Sequence, residues 1–273
     1  MAGLVPWAFS PRTKSVGIHA FATFLGARRS PVDARVKSGH DGRVWRGIRS
    51  LTMIDKRVRD LAAAVAGIKD GSVVLCAGFG GAGLPDALCE AVIEQGARDL
   101  TVVANNAGTG RTGLAALMAA GRVAKIMCSF PRSSGSVVFE ELYAAGKIEL
   151  ELLPQGTLSE RMRCAAAGLG GYYSPVSVGT RLAEGKEHRE IDGRTYVLEK
   201  PLKGDVALLA ADRADRWGNL TFRKSQRNFN PTMAMAADLS IVQVRHIVEL
   251  GELDPEMIVT PGIFVDRIVQ VAF

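Results

Sequence analysis

Long hydrophobic runs are missing from this chain of 273 residues, and aromatic residues make up only 6% of it. A membrane-spanning helix needs about 20 consecutive apolar residues, and every apolar run here is shorter. The sequence therefore argues against a membrane protein. The remaining balance, 47% hydrophobic and 23% charged, is typical of a globular chain with one large domain or two small ones.

Cysteine is also scarce, and the four cysteines are far apart. No pair forms C-x-x-C, and no histidine lies at a zinc-ligand spacing from them, which argues against a metal site. We expect reduced, mostly buried thiols in an intracellular protein. The four residues are Cys76, Cys89, Cys128 and Cys164.

Acidic residues are nearly absent from the first 52 residues, which hold 9 of the 34 Lys and Arg but 2 of the 28 Asp and Glu. The other 221 residues are therefore close to neutral, although the whole chain carries a formal net charge of +6. A nucleic-acid-binding face should belong to the folded domain, so this charge does not indicate a nucleic-acid partner.

Three interpretations stay open for residues 1–52, which lack a sustained helical or strand periodicity. The first is a mitochondrial-type transit peptide, since the segment is rich in Arg and poor in acidic residues. The second is a disordered extension. The third is translated upstream sequence, with the true start of the protein at Met53. A secretory signal fits less well, since the apolar patch at residues 18–27 is short and has polar neighbours. We predict one folded domain over residues 53–273.

Helical and strand patterns alternate from Arg57 onward, with a repeat of 25–30 residues. Continuous apolar runs such as VVLCA are typical of buried parallel strands, and the amphipathic segments between them predict crossover helices. This order predicts an α/β fold with an open, mostly parallel sheet and helices on both faces. The predicted strands are residues 73–77, 100–105, 125–130 and 148–153, and the predicted helices are 57–68, 85–96, 114–121, 137–146 and 158–168.

The second half of the chain is richer in strands. Asp192-Gly193 separates two strand-like runs and predicts a hairpin. The segments 205–211, 220–224 and 239–249 then predict further strands with little helix between them. These later strands either extend the sheet or add a small β layer.

The residues Gly78–Gly83 fit G-x-G-x-x-G between a strand and a helix, the pattern of a dinucleotide-binding loop. That fingerprint also needs an acid at the end of the second strand to hold the ribose hydroxyls. Asn105 and Asn106 occupy this place, and no carboxylate lies between Asp99 and Glu140. The glycines then serve a tight turn, or the close approach of a ligand or of another backbone.

The whole segment DGSVVLCAGFGGAGLP, at residues 70–85, resembles the N-terminal signature of the family I CoA-transferases. The resemblance extends over residues 53–273. It has three departures: Ala77 in place of the first glycine of the signature, Cys76 in its apolar triplet, and Val176–Val178. Further matching blocks are NNAG (105–108), PQGTLSER (154–161), YYSP (172–175), LAEGKE (182–187), WGNLTFRK (217–224), RNFNP (227–231) and GELDPEMIVTPGIFV (251–265).

Within that family, residues 128–156 resemble the A subunits of the 3-oxoadipate type. The resemblance implies transfer of CoA from succinyl-CoA to 3-oxoadipate in the cytoplasm, with the CoA thioester as a substrate and no permanently bound cofactor. Another 3-oxoacid such as acetoacetate, or a non-catalytic module that binds CoA or an acid, is the alternative.

The family's reaction uses a glutamate nucleophile that lies on a B subunit, in a Glu-Asn-Gly type motif. This chain contains no Glu-Asn-Gly. The resemblance therefore implies that the chain is inactive alone and works with a B subunit, in a heterodimer or a heterotetramer.

The resemblance also implies the site residues. Gln155, in Pro-Gln-Gly, matches a donor that stabilises the oxyanion, and a neutral amide suits that role. Asn105, Asn106 and Arg132 are the predicted substrate-binding residues, with Arg132 ahead of Arg111 for the distal carboxylate. The glycine loop is expected either to bind CoA or to pack against the partner's active-site loop; its residues are Ala77, Gly78, Phe79, Gly80, Gly81, Ala82 and Gly83.

Overall fold

This computed structural model describes residues 53–272, which contain eleven strands and six α-helices. The expectations for residues 1–52 lie outside the described residues. The strands are β1 (Val73–Cys76), β2 (Leu100–Asn106), β3 (Val123–Phe130), β4 (Glu149–Leu152), β5 (Tyr172–Ser174), β6 (His188–Ile191), β7 (Arg194–Glu199), β8 (Gly204–Asp215), β9 (Leu220–Thr221), β10 (Ala237–Val248) and β11 (Arg267–Gln270). The helices are α1 (Leu61–Val65), α2 (Asp86–Gln95), α3 (Gly113–Ala119), α4 (Val137–Ala144), α5 (Gln155–Ala166) and α6 (Asn230–Met235).

Seven of these strands form a parallel sheet in the order β11-β10-β8-β1-β2-β3-β4, and β9 pairs antiparallel with the end of β8. The order reverses at β1, which lies between β8 and β2. Ligands of open α/β sheets bind beyond the carboxyl ends of the strands at such a switch point. The loop that follows β1 is therefore in the expected place for a site.

Successive residues of the central strands face opposite sides of the sheet, and each side carries its own core. Val74 packs in the core under α1 to α4, whereas Leu75 packs in the core under α5 and α6. Both side chains are fully buried. Because both faces are covered, a central strand is apolar at every position. The expected open parallel sheet with helices on both faces is confirmed.

A second, three-stranded antiparallel sheet has the order β5-β7-β6. Asp192 and Gly193 form the turn between β6 and β7 with φ angles of 50° and 73°, as a two-residue type I′ hairpin requires. Both alternatives for the later strands are thus realised, since β8, β10 and β11 extend the main sheet and β5 to β7 add the small β layer.

The first predicted helix, residues 57–68, is much shorter than expected. Val58 donates its N–H to the carbonyl of Ile268 at 2.8 Å, which holds this stretch extended beside β11. Asp60 then caps α1 by accepting from the N–H of Ala63 at 2.7 Å, and Gly67, at a φ of 87°, follows its end. A pairing partner about 200 residues away overrides the local helical pattern here.

The predicted strand over residues 220–224 is also shorter, because only Leu220 and Thr221 pair with β8. The backbone N–H of Arg223 is turned to the side-chain oxygen of Gln226 at 3.1 Å, and a short 3₁₀ turn begins. The chain then enters α6, a helix that the strand-rich prediction for this half did not contain. This turn and α6 shape the site described below.

Within residues 53–272, no helix is both long and apolar enough to cross a membrane; α5, the longest, has 12 residues. The same range contains no group of three or more His, Cys, Asp or Glu side chains arranged to hold a metal ion.

Candidate active site

The glycine loop, residues 77–83, makes a tight turn between β1 and α2. Phe79 and Ala82 exchange two backbone hydrogen bonds of 3.0 and 3.1 Å, which leaves Gly80 and Gly81 at the tip. Gly80 has a φ of 58°, a left-handed backbone conformation that residues with a side chain rarely adopt. A methyl group on either tip glycine would meet no atom within 4 Å. The tip is therefore open on its outer side.

The base of the loop is held by the segment that precedes α6. A Cβ on Gly83 would lie 2.5 Å from the carbonyl oxygen of Gln226, so this glycine serves the close approach of another backbone. Asn228 donates its side-chain amide to the carbonyl of Ala82 at 3.0 Å, and Asn230 donates to that of Gly83 at 3.3 Å. The RNFNP block of the sequence thus clamps the glycine loop, a role that its sequence pattern did not indicate.

Asn230 is the buried anchor of this clamp. Its side chain is fully buried, its Oδ1 accepts from the backbone N–H of Ala210 in β8 at 2.8 Å, and its Nδ2 donates to the carbonyl of Gln226 at 2.9 Å. One side chain therefore ties the loop, the turn and a central strand together.

Replacing Asn230 by alanine should lower the free energy of unfolding by about 2–4 kcal/mol, because it leaves a buried N–H and two carbonyls without partners. Urea unfolding measured by circular dichroism gives this value. Asn228→Ala is the matched control, and it should cost less than half as much because that side chain is only half-buried. Equal costs for the two variants would contradict the anchoring role.

Gln155 and Asn105 meet at the carboxyl edge of the sheet. Gln155 is the first residue of α5, directly after the cap residue Pro154, so the predicted loop at Pro-Gln-Gly is in fact a helix start. Its Nε2 donates to Oδ1 of Asn105, the penultimate residue of β2, at 2.7 Å. Ser129 of β3 donates to the same Oδ1 at 2.9 Å. Ser129 was not among the sequence candidates, since a lone serine in a strand carries no pattern.

The glycine loop and the two asparagines share one cavity of about 490 Å³. Asn105 and Asn106 are nearly buried, with 5% and 8% of their surface exposed. Both polar and apolar groups line the cavity. Its lining comprises Cys76, Ala77, Gly78, Gly80, Gly81, Leu84, Pro85, Asp86, Ala104, Asn105, Asn106, Gly108, Thr109, Thr112, Leu114, Ser133 and Ser134.

Gln155 itself lines a more open surface cavity of about 300 Å³. Phe79 of the glycine loop forms one wall of it and leaves 47% of its surface exposed. The other lining residues are Gly156, Ser159, Asn228, Phe229 and Thr232. The contact between Gln155 and Asn105 thus joins one residue of each cavity.

The two candidate arginines lie near this edge and are exposed. Arg111 forms an ion pair with Glu141 at 3.5 Å, which competes with a role in substrate binding. Arg132 directly precedes Ser133 and Ser134, both of which line the larger of these two cavities. Its role in holding a distal carboxylate stays a prediction.

Asp86 is the one acidic residue that lines the larger cavity within the described part of the chain. Partial burial raises the pKa of its carboxyl group above the usual value, and the nearby carboxylate of Glu90 raises it further. Among the described residues, the lining thus offers amides, hydroxyl groups and glycines, and it contains no glutamate.

Two buried thiols in this region, those of Cys89 and Cys128, have raised pKa values. The Sγ atoms of Cys76 and Cys89 are 3.8 Å apart in the core, and this hydrogen bond together with burial raises the pKa of Cys89. Burial raises the pKa of Cys128 to about 12. Because the thiolate is the reactive form, Cys89 and Cys128 are unsuited to nucleophilic attack at neutral pH.

Comparison with known proteins agrees with this geometry. The sequence model of the coenzyme A transferase family matches residues 58–271. The chain is 60% identical over 220 residues to the A subunit of 3-oxoadipate CoA-transferase from Pseudomonas putida, a match that covers 81% of this chain and 95% of that one. It is 48% identical over 202 residues to the A subunit of a probable succinyl-CoA:3-ketoacid coenzyme A transferase from Bacillus subtilis, with 74% and 84% covered.

The fold is shared with the acyl-CoA transferase YdiF of Escherichia coli O157:H7, at a TM-score of 0.68 and 24% identity. The match covers 80% of this chain and 47% of YdiF, so this chain spans about half the length of that protein. Since the family match covers most of the chain and the curated relatives align over nearly their whole length, the chain belongs to the coenzyme A transferase family.

Proposed function

We propose that this chain is the A subunit of a 3-oxoacid CoA-transferase that moves CoA from succinyl-CoA to 3-oxoadipate. The observation that carries the proposal is the pair of side-chain amides, Gln155 and Asn105, in contact at 2.7 Å beside the glycine-loop cavity. Acyl transfer develops negative charge on a carbonyl oxygen, and neutral N–H donors fixed at that oxygen lower the barrier. The 60% identity to the relative from Pseudomonas putida supports the choice of acceptor acid.

The reaction passes through a glutamate on the B subunit. Its carboxylate attacks the thioester carbonyl of succinyl-CoA and expels the CoA thiolate, which leaves a mixed anhydride. The thiolate then attacks the glutamyl carbonyl of the anhydride and releases succinate, which gives a glutamyl-CoA thioester. In the second half of the reaction, the carboxylate of 3-oxoadipate attacks the glutamyl-CoA thioester and expels the CoA thiolate, which gives a second mixed anhydride. The thiolate then attacks the 3-oxoadipyl carbonyl and releases the glutamate, which gives 3-oxoadipyl-CoA. One N–H of Gln155 is held by Asn105, and the other is left to bind the oxyanion in each attack.

The glycine loop serves the CoA thioester in this proposal. Its tip at Gly80 and Gly81 has no neighbouring atom on its outer side, so an extended ligand can approach the backbone closely. CoA is a substrate here and leaves after each turnover. Arg132 meets the distal carboxylate of 3-oxoadipate, and residues 53–273 form the transferase domain.

A B subunit supplies the nucleophile. No glutamate lines the larger cavity among the described residues, and the chain contains no Glu-Asn-Gly. Co-expression of the full chain with its B subunit should therefore give transferase activity with succinyl-CoA and 3-oxoadipate. The change in absorbance of the CoA thioester measures this activity. The chain alone should be inactive.

Two outcomes would contradict this proposal. Activity of the chain alone would place the nucleophile on this polypeptide, and Asp86→Asn would then test the acid in the cavity. A co-purified complex that accepts neither 3-oxoadipate nor acetoacetate would exclude a 3-oxoacid transferase. A preference for acetoacetate would instead favour the second candidate, the succinyl-CoA:3-ketoacid type, to which the 48% identity with the relative from Bacillus subtilis points.

A further inference from the structure

Ser129 lies directly beside Asn105 on the neighbouring parallel strand. The register pairs Ala104 with Cys128 and Asn106 with Phe130, so the two residues between them are side by side. The hydroxyl of Ser129 is 2.9 Å from Oδ1 of Asn105 and 3.0 Å from its backbone oxygen. The single hydroxyl hydrogen of Ser129 thus has two acceptors within reach, the main-chain oxygen and the carboxamide oxygen of Asn105.

The carboxamide oxygen of Asn105 connects Ser129 and Gln155 through hydrogen bonds. It accepts from Ser129 on one side and from Nε2 of Gln155 on the other, so both of its lone pairs are used. The Nδ2 group is on the opposite branch of the same planar amide. Fixing the oxygen therefore also fixes the two N–H donors of Asn105, a residue that lines the larger cavity.

We propose that Ser129 is a positioning residue for the transfer reaction, which acts by restraining the carboxamides of Asn105 and, through it, Gln155. The inference rests on the proposed function and adds a residue to its site. Without the hydroxyl, Oδ1 of Asn105 keeps a single partner, and the amide is free to turn within the nearly buried position it occupies. Gln155 is exposed and its side chain is hydrogen-bonded to Asn105. The amide of Gln155 therefore moves when the amide of Asn105 turns.

Donors that stabilise a transition state must be held within a fraction of an ångström to be effective. A loss of restraint thus weakens the transition state more than the binding of the ground state. Ser129→Ala should lower kcat of the assembled complex about tenfold, with the KM for both substrates changed less than about twofold. Ser129→Thr keeps the hydroxyl on a β-branched side chain that suits a strand, and it should restore kcat to within about threefold of the wild type.

A second comparison separates this role from a structural one. When Gln155 is already alanine, the further change Ser129→Ala should lower kcat by less than about twofold. The effects of two residues that act through one another are not additive. Ser72→Ala is the matched control, since that buried hydroxyl also donates to a backbone carbonyl, that of Lys69, before β1 at the opposite edge of the sheet. It should shift the thermal midpoint about as much as Ser129→Ala and leave kcat unchanged.

The outcomes are distinct from those that test the function itself. An inactive wild-type complex overturns the function and this inference together. An active complex in which Ser129→Ala keeps the wild-type kcat, raises KM instead, or multiplies fully with Gln155→Ala overturns this inference alone. If Ser129→Ala does not fold, Ser129→Cys keeps the shape with a weaker donor, and it should still lower kcat and still be non-additive with Gln155→Ala.

Discussion

Replacing Gln155 by alanine should lower kcat of the assembled transferase about 10²–10³-fold, while the KM for succinyl-CoA changes by less than about threefold. The ground-state carbonyl is a weak acceptor, but the tetrahedral intermediate carries a full negative charge on the same oxygen. The second N–H of the Gln155 amide, which the contact with Asn105 orients, gains most of its strength only in that charged state. The loss therefore appears in kcat.

Gln155→Glu sharpens the test, because it keeps the size of the side chain and replaces the donor with a negative charge. Repulsion of the oxyanion should make it slower than the alanine variant. Gln95→Ala is the matched control at the far end of α2, where the glutamine donates to the carbonyl of Ile68 at 2.9 Å. It should lower stability and leave kcat intact. A Gln155→Ala complex with normal kcat would remove Gln155 from the mechanism.

The central sheet could be predicted from the sequence because parallel strands covered on both faces are apolar at every position. The run VVLCA predicted β1 to within one residue. The segment around Val58 could not be predicted in this way. Its conformation depends on a hydrogen bond to Ile268, and a local pattern carries no information about a partner so far along the chain.

The site shows the same division. Asn105 and Gln155 were each predicted, but their contact depends on the register of three strands that bring residues 50 positions apart to one edge. Ser129 and Asn230 were missed for a related reason. Each is a single polar residue whose role is set by what packs against it, and neither belongs to a spacing that indicates chemistry. Partner-dependent roles of this kind become visible only with the fold.

Replacing Gly83 by alanine should lower the free energy of unfolding by about 3–5 kcal/mol and strongly reduce the activity of the complex. The residue has a φ of 67°, where an alanine is strained. Its Cβ would also lie 2.5 Å from the carbonyl oxygen of Gln226 and 2.8 Å from Nδ2 of Asn228. One of these contacts is with backbone, so the clamp on the glycine loop has to open. Urea unfolding of the chain and the transferase assay of the complex measure the two effects.

Gly81→Ala is the matched control in the same loop. Its φ lies outside the left-handed region and its Cβ would meet no atom within 4 Å, so stability should change by less than about 0.5 kcal/mol. An equal loss of stability in both variants would contradict the clamp. The control also separates the two roles of the loop tip, since a methyl group at Gly81 raises the KM for the CoA thioester if CoA approaches there. If the tip instead packs against the partner, the same methyl group weakens assembly with the B subunit and leaves that KM unchanged.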